Sequence, residues 1–157
     1  MNDEIVKLLA EYHWREEEYP TWAIKCLEKG YDSKSLRILA SMSKWDSASE
    51  LDTYLQRTLK ELGWDKIEKQ DYLLVYAKIL AKEIIEDKTD PVKASQAIYK
   101  IWVDLEYPQQ LDDWSDIDEM IGDSEYFLKT GNKGFFFRPK EELISEIKKL
   151  SEELLKS

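Results

Sequence analysis

Leu73-Leu74-Val75-Tyr76-Ala77-Lys78-Ile79-Leu80-Ala81-Lys82-Glu83-Ile84-Ile85 is the stretch that decides the fold class. Leu73, Tyr76, Ala77, Leu80, Ala81, Ile84 and Ile85 recur at spacings of three and four, which puts them on one broad face of a helix. From Lys66 to Lys88 neither glycine nor proline interrupts that pattern. This helix is expected to be the central one.

The same period continues on both sides. Downstream, Asp90-Pro91 is a start signal, because the aspartate can cap free amides and the proline presets the first turn. The helix it opens turns Ala94, Ala97, Ile98, Ile101, Trp102 and Leu105 inward. Upstream, Ser47 or Ser49 with Glu50 precedes Leu51, Tyr54, Leu55, Leu59 and Leu62, and the run stops at Gly63. Before that, Asp32 and Ser33 offer capping oxygens to a helix carrying Leu36, Ile38, Leu39 and Met42. A further helix begins near Pro20, carries Trp22, Ala23, Cys26 and Leu27, and ends at Gly30. The first helix is predicted from Asn2 to about Glu16 on the spacing of Ile5, Leu8, Leu9 and Tyr12. The last is predicted over Lys140 to Lys156, after Pro139, on Leu143, Ile147, Leu150 and Leu154.

Between Tyr107 and Pro139 the pattern breaks into acidic and aromatic pieces punctuated by Pro108, Gly122, Gly131 and Gly134. Short helical turns are expected there, with Gly131 to Phe137 as the only candidate for extended structure. The predicted fold is thus all-α: an irregular antiparallel helical bundle of six to seven helices. It forms one domain over residues 1–157, with an irregular acidic and aromatic segment at 107–138. A short helical-repeat stack is the alternative.

At 157 residues, 43% of them hydrophobic and 36% charged, the chain can bury a core without staples. Its longest apolar runs fall far short of the ~20 residues of a membrane span. The start, with Asp3 and Glu4, does not read as a secretory signal. Cys26 is the only cysteine, so no internal disulfide can form. A cytoplasmic setting is expected. A net charge of −10 and a pI near 4.7 repel phosphate backbones and anionic lipid and attract basic partners. Neither nucleic acid nor membrane is therefore an expected partner.

Little in the chain supports catalysis. No P-loop, Rossmann glycine pattern, G-x-S-x-G elbow or H-E-x-x-H pair occurs. His13, the only histidine, could share a helix face with Glu17, but no second histidine or cysteine lies nearby to complete a zinc site. Cys26, among Trp22, Ala23 and Leu27, reads as a packed core thiol. No cofactor is expected.

The sharpest asymmetry lies at Asp104, Glu106, Asp112, Asp113, Asp116, Asp118, Glu119, Asp123 and Glu125, nine acids with no lysine or arginine among them. A calcium loop is disfavoured, since these acids do not alternate and Gly122 is misplaced. Interleaved with Tyr107, Trp114, Tyr126 and Phe127, they suit a docking surface for a basic protein, in which rings supply contact and charge supplies selectivity. The plainer reading has the rings capping the core and the acids solvating a loop. Asp104, Glu106, Tyr107, Asp112, Asp113, Trp114, Asp116, Asp118, Glu119, Asp123 and Tyr126 are the candidate partner-binding residues. Of Phe135, Phe136 and Phe137, at least two are expected to be buried or in an interface.

Tyr19-Pro20-Thr21-Trp22-Ala23-Ile24, Leu27 to Gly30, and Asp32-Ser33 with Ser35-Leu36-Arg37-Ile38-Leu39-Ala40 resemble the opening of small uncharacterised bacterial helical proteins. Asp90-Pro91 through Ile98-Tyr99 to Leu105-Tyr107-Pro108 is similar to a later segment of the same group. Together these pieces cover about a third of the chain and carry no catalytic residues. Some proteins of this type resemble immunity proteins, which cover a toxin's active site. The resemblance implies a non-catalytic protein-binding module that neutralises a basic toxin domain. Two alternatives stay open: a metal- or small-ligand-binding protein or enzyme using paired carboxylates, such as Glu16 with Glu17 or Asp112 with Asp113, and a structural homo-oligomer.

Overall fold

Eight α-helices, a 3-10 turn at Gln109–Leu111 and no strand are found among the described residues of the computed structural model. Those residues are 2–14 and 18–157, with the side chains of His13 and Trp14 excepted. The expected pairing of His13 with Glu17, and that of Glu16 with Glu17, lie outside them. The helices are α1 (Asp3–Trp14), α2 (Tyr19–Glu28), α3 (Lys34–Ser41), α4 (Ala48–Glu61), α5 (Lys69–Ile85), α6 (Pro91–Asp104), α7 (Trp114–Thr130) and α8 (Lys140–Lys156). The chain forms two compact units, Met1–Leu73 and Leu74–Ser157, with the boundary inside α5.

Local chemistry sets the helix ends. Ser33 Oγ accepts the Leu36 amide, Ser47 Oγ the Glu50 amide, and Asp90 the amides of Val92 and Lys93, so three starts are side-chain capped as the sequence predicts. Gly131 ends α7 at φ 74°, a left-handed conformation that a residue with a Cβ resists.

In the first unit α2 packs on α1 and α3, and α3 packs on α4. Val6, Leu8, Leu9, Ala23, Cys26, Leu36, Leu39 and Leu55 are buried. An aromatic chain runs through the same core: Tyr12 meets Trp22 edge-on at 5.6 Å, Trp22 meets Trp64 at 6.4 Å, and Trp64 meets Tyr31 at 5.0 Å. Such pairs add about 0.5–1.5 kcal/mol beyond area burial. The Trp22 indole N–H donates to the Leu8 carbonyl at 2.8 Å, so its burial strands no polar group.

In the second unit α6, α7 and α8 pack against one another. Ala94, Ile98 and Ile101 of α6 are buried, as are Trp114, Ile117 and Ile121 of α7, and Leu143, Ile147 and Leu154 of α8. The all-α class stands, but two expectations about 107–138 do not. Where short turns were predicted, Trp114–Thr130 is one helix of 17 residues, which raises the count to eight. Trp114, Ile117 and Ile121, at spacings of three and four, outweigh the acids around them. Gly122 is tolerated because it is exposed, at a cost of about 1 kcal/mol relative to alanine. The predicted extended piece, Gly131 to Phe137, forms no strand and instead makes a turn closed by the Phe137 amide on the Gly134 carbonyl.

Candidate functional site

Helical spacing sorts the acids of the second unit. Asp113, Asp116, Ile117 and Met120 lie at i, i+3, i+4 and i+7 along α7 and its start, so they share one face. Glu146, Lys149, Leu150 and Glu153 repeat the same spacing on α8. The two faces line a single open groove of about 250 Å³. Ile117 is buried and Met120 and Leu150 are half-buried, so the accessible lining is mostly polar, with a small apolar strip from Met120 and Leu150. Asp113, Asp116, Glu146 and Glu153 are exposed around it, as is Lys149. Four carboxylates against one ammonium leave the groove with a net charge of about −3.

The predicted site residues divide into three groups. Asp113 and Asp116 enter the groove. Glu106, Glu119, Tyr107 and Tyr126 are exposed outside it, the two tyrosines by 59% and 47%, enough surface for each ring to serve as a contact. Glu106 and Tyr107 both take positive φ, 58° and 68°, as the chain leaves α6. A run of two left-handed residues with side chains is strained.

Other members of the set work within the fold. Trp114 is 2% exposed, so it is a core residue and is withdrawn from the surface on which it was expected. The reason is its position opening the buried stripe of α7. Asp112 accepts the Trp102 indole N–H at 2.9 Å, and the Trp102 ring meets Tyr107 edge-on at 4.7 Å. Asp123 accepts the Phe136 amide at 2.6 Å. Asp104 is half-buried. Asp118 is half-buried too, and its carboxyl is pushed above the usual carboxylate range by burial, then by the charges of Glu119 and Glu125. Of the nine acids, Glu106, Asp112, Asp113, Asp116, Glu119 and Glu125 are thus exposed, and Asp104, Asp118 and Asp123 are half-buried.

Sequence reasoning missed Glu146, Lys149, Leu150 and Glu153. Their signal was available, since α8 carries an acid-Lys-Leu-acid pattern at the spacing used by the acids of α7. Beyond the groove, Phe135 is 91% and Leu128 83% exposed, while Phe136 and Phe137 are half-buried. Within the chain, two of the three phenylalanines are thus partly buried, where at least two are expected to be buried or in an interface. Phe137 lies 4.8 Å from the Phe127 ring and beneath Lys133, which holds that part of the turn against α7.

The chemistry of the first unit is sparse by comparison. Cys26 is fully buried, and its thiol is pushed up to about 12 by burial and then by the charge of Glu11, so it carries little thiolate near neutrality. Among the described residues no three side chains of His, Cys, Asp or Glu are grouped to hold a metal ion, and no helix is long and apolar enough to cross a membrane. Comparison with protein families, with curated proteins and with solved structures returns no match for this chain.

Proposed function

We propose that the chain is a non-catalytic protein-binding module whose α7/α8 groove receives a basic segment of a partner protein. The observation that carries this reading is the juxtaposition of two helix faces that place four carboxylates around a small apolar strip of Met120 and Leu150. Lysine and arginine side chains fit that combination, because their aliphatic stems cover apolar surface while their heads meet acids. Exposed Tyr107 and Tyr126 are further contacts of the kind that anchors interfaces. The net charge of −10 speeds encounter with such a partner.

The specific form we favour is an immunity protein that neutralises a basic toxin domain in a bacterial cytoplasm. The overall acidity and the resemblance of the Tyr19–Ala40 stretch support it. Photo-crosslinking from position 126 tests the reading, with the four acids Asp113, Asp116, Glu146 and Glu153 reversed to lysine in one variant. Reversal of the α1 acids Asp3 and Glu4 serves as control. A basic protein captured by the native chain and the control, but lost from the groove variant, is the expected result. Equal capture by all three chains would remove the groove from the account.

A further inference from the structure

A second groove, in the first unit between α3 and α4, has the opposite electrostatic character. Its volume is about 390 Å³, near the lower end of the range for sites that hold small organic ligands. Lys34, Arg57 and Lys60 line it, together with half-buried Ile38 and Tyr54. In a chain with ten more acids than bases, three cations meeting at one groove call for an explanation.

Several cations outside this groove meet a carboxylate: Lys25 meets Glu11, Arg37 meets Asp32 and Lys148 meets Asp87. Among the described residues, no carboxylate lies within 4.0 Å of the charged groups of Lys34, Arg57 or Lys60. The one acid in the lining, Glu61, accepts the Ser35 amide at 3.3 Å and is thereby held at the start of α3. The guanidinium of Arg57 stands over the Tyr54 ring at 5.3 Å, a contact with the ring face that does not use up its N–H donors. Three cations against one acid leave a net charge of about +2, which complements the charge of about −1.5 to −2 on a phosphate monoester near neutral pH.

We propose that the α3/α4 groove binds a small organic phosphate monoester, with the phosphate on Lys34, Arg57 and Lys60 and the organic body on Tyr54 and Ile38. The site stands apart from the protein-binding reading, because its residues and its charge are different. Phenyl phosphate is the probe, with inorganic phosphate, phenol and benzoate as comparators, titrated into 15N-labelled full-length protein up to about 10 mM. Phenyl phosphate is expected to shift the backbone amides of α3 and of residues 54–61 most strongly. Arg57→Ala and Lys60→Ala should each weaken that binding about tenfold, in keeping with loss of a charge-assisted contact. Both side chains are exposed, and an unchanged circular-dichroism melt confirms that the variants fold. Binding should also weaken as salt rises. Absence of shifts in α3 and α4, an equal response to phenol or to benzoate, or full binding by both variants would each overturn the assignment.

Discussion

Asp123 and Gly134 share one space: the aspartate carboxylate lies where a side chain on the glycine would begin. The same carboxylate accepts the Phe136 amide, so one acid of α7 fixes the turn that leads to α8. An Ala at 134 must push that carboxylate aside, and Gly134→Ala is expected to destabilise by about 1 kcal/mol through the weakened bond to the Phe136 amide. Asp123→Ala should cost about 1 kcal/mol through the amide it leaves without its partner. In the double variant the alanine at 134 has nothing to displace. Its combined cost should therefore fall below the sum of the two singles, which chemical denaturation of all four chains measures. Strict additivity would show that the two residues do not interact.

Asp118 gives a pH dependence of definite sign. Its folded pKa is raised above the unfolded value, so the fold favours the protonated acid. That preference stabilises the fold at acid pH, below the unfolded pKa, and is lost as pH rises through the raised value. Asn resembles the protonated form at every pH. Asp118→Asn should therefore raise stability at pH 7 by about 0.5 kcal/mol, a figure that allows for solvent screening at a half-exposed site. At pH 3 the gain should vanish. Urea midpoints at the two values decide it, and a variant less stable than the parent at pH 7 would contradict the sign.

Ser95 lies on the buried face of α6 at 1% exposure, and among the described residues its hydroxyl has no hydrogen-bond partner. Removing a buried, unsatisfied hydroxyl takes away a desolvation cost, and alanine is also the better helix former. Ser95→Ala is expected to leave stability unchanged or raise it by up to about 1 kcal/mol. A drop in melting temperature of several degrees would mean that the oxygen is satisfied in solution.

Cys26 should be silent to thiol reagents in the folded protein. Burial and the raised pKa both suppress the reactive thiolate. With an aromatic disulfide reagent at pH 8, the native chain should react far more slowly than the unfolded chain, which should release one equivalent. Prompt reaction of the native chain would place the thiol at the surface.

What could be read from the sequence followed the strength of the apolar period. The α5 stripe from Leu73 to Ile85 and the capping residues Ser33, Ser47 and Asp90 announce their helices because each relies on local spacing and local hydrogen bonds. In α7 the same period is diluted by acids and by Gly122, so its buried Trp114, Ile117 and Ile121 looked like isolated pieces. The groove was half visible. Asp113 and Asp116 stood out as acids in an acid-rich run, whereas Glu146 and Glu153 looked like the solvated side of an ordinary amphipathic helix. Only the packing of α7 on α8 makes one site of them. Asp112 and Asp123 were singled out for a surface role because spacing carries no trace of their partners, Trp102 and Phe136, which lie 10 and 13 residues away.

Phe135 and Leu128, among the most solvent-exposed large apolar side chains on the molecule, set a colloidal condition on how it can be handled. While the chain is strongly anionic, mutual repulsion keeps these wet hydrocarbon surfaces from meeting in neighbouring molecules. Near the isoelectric point of about 4.7 that repulsion disappears. Mild acidification should then make the solution cloudy before the helices melt, and Phe135→Ser should clear it.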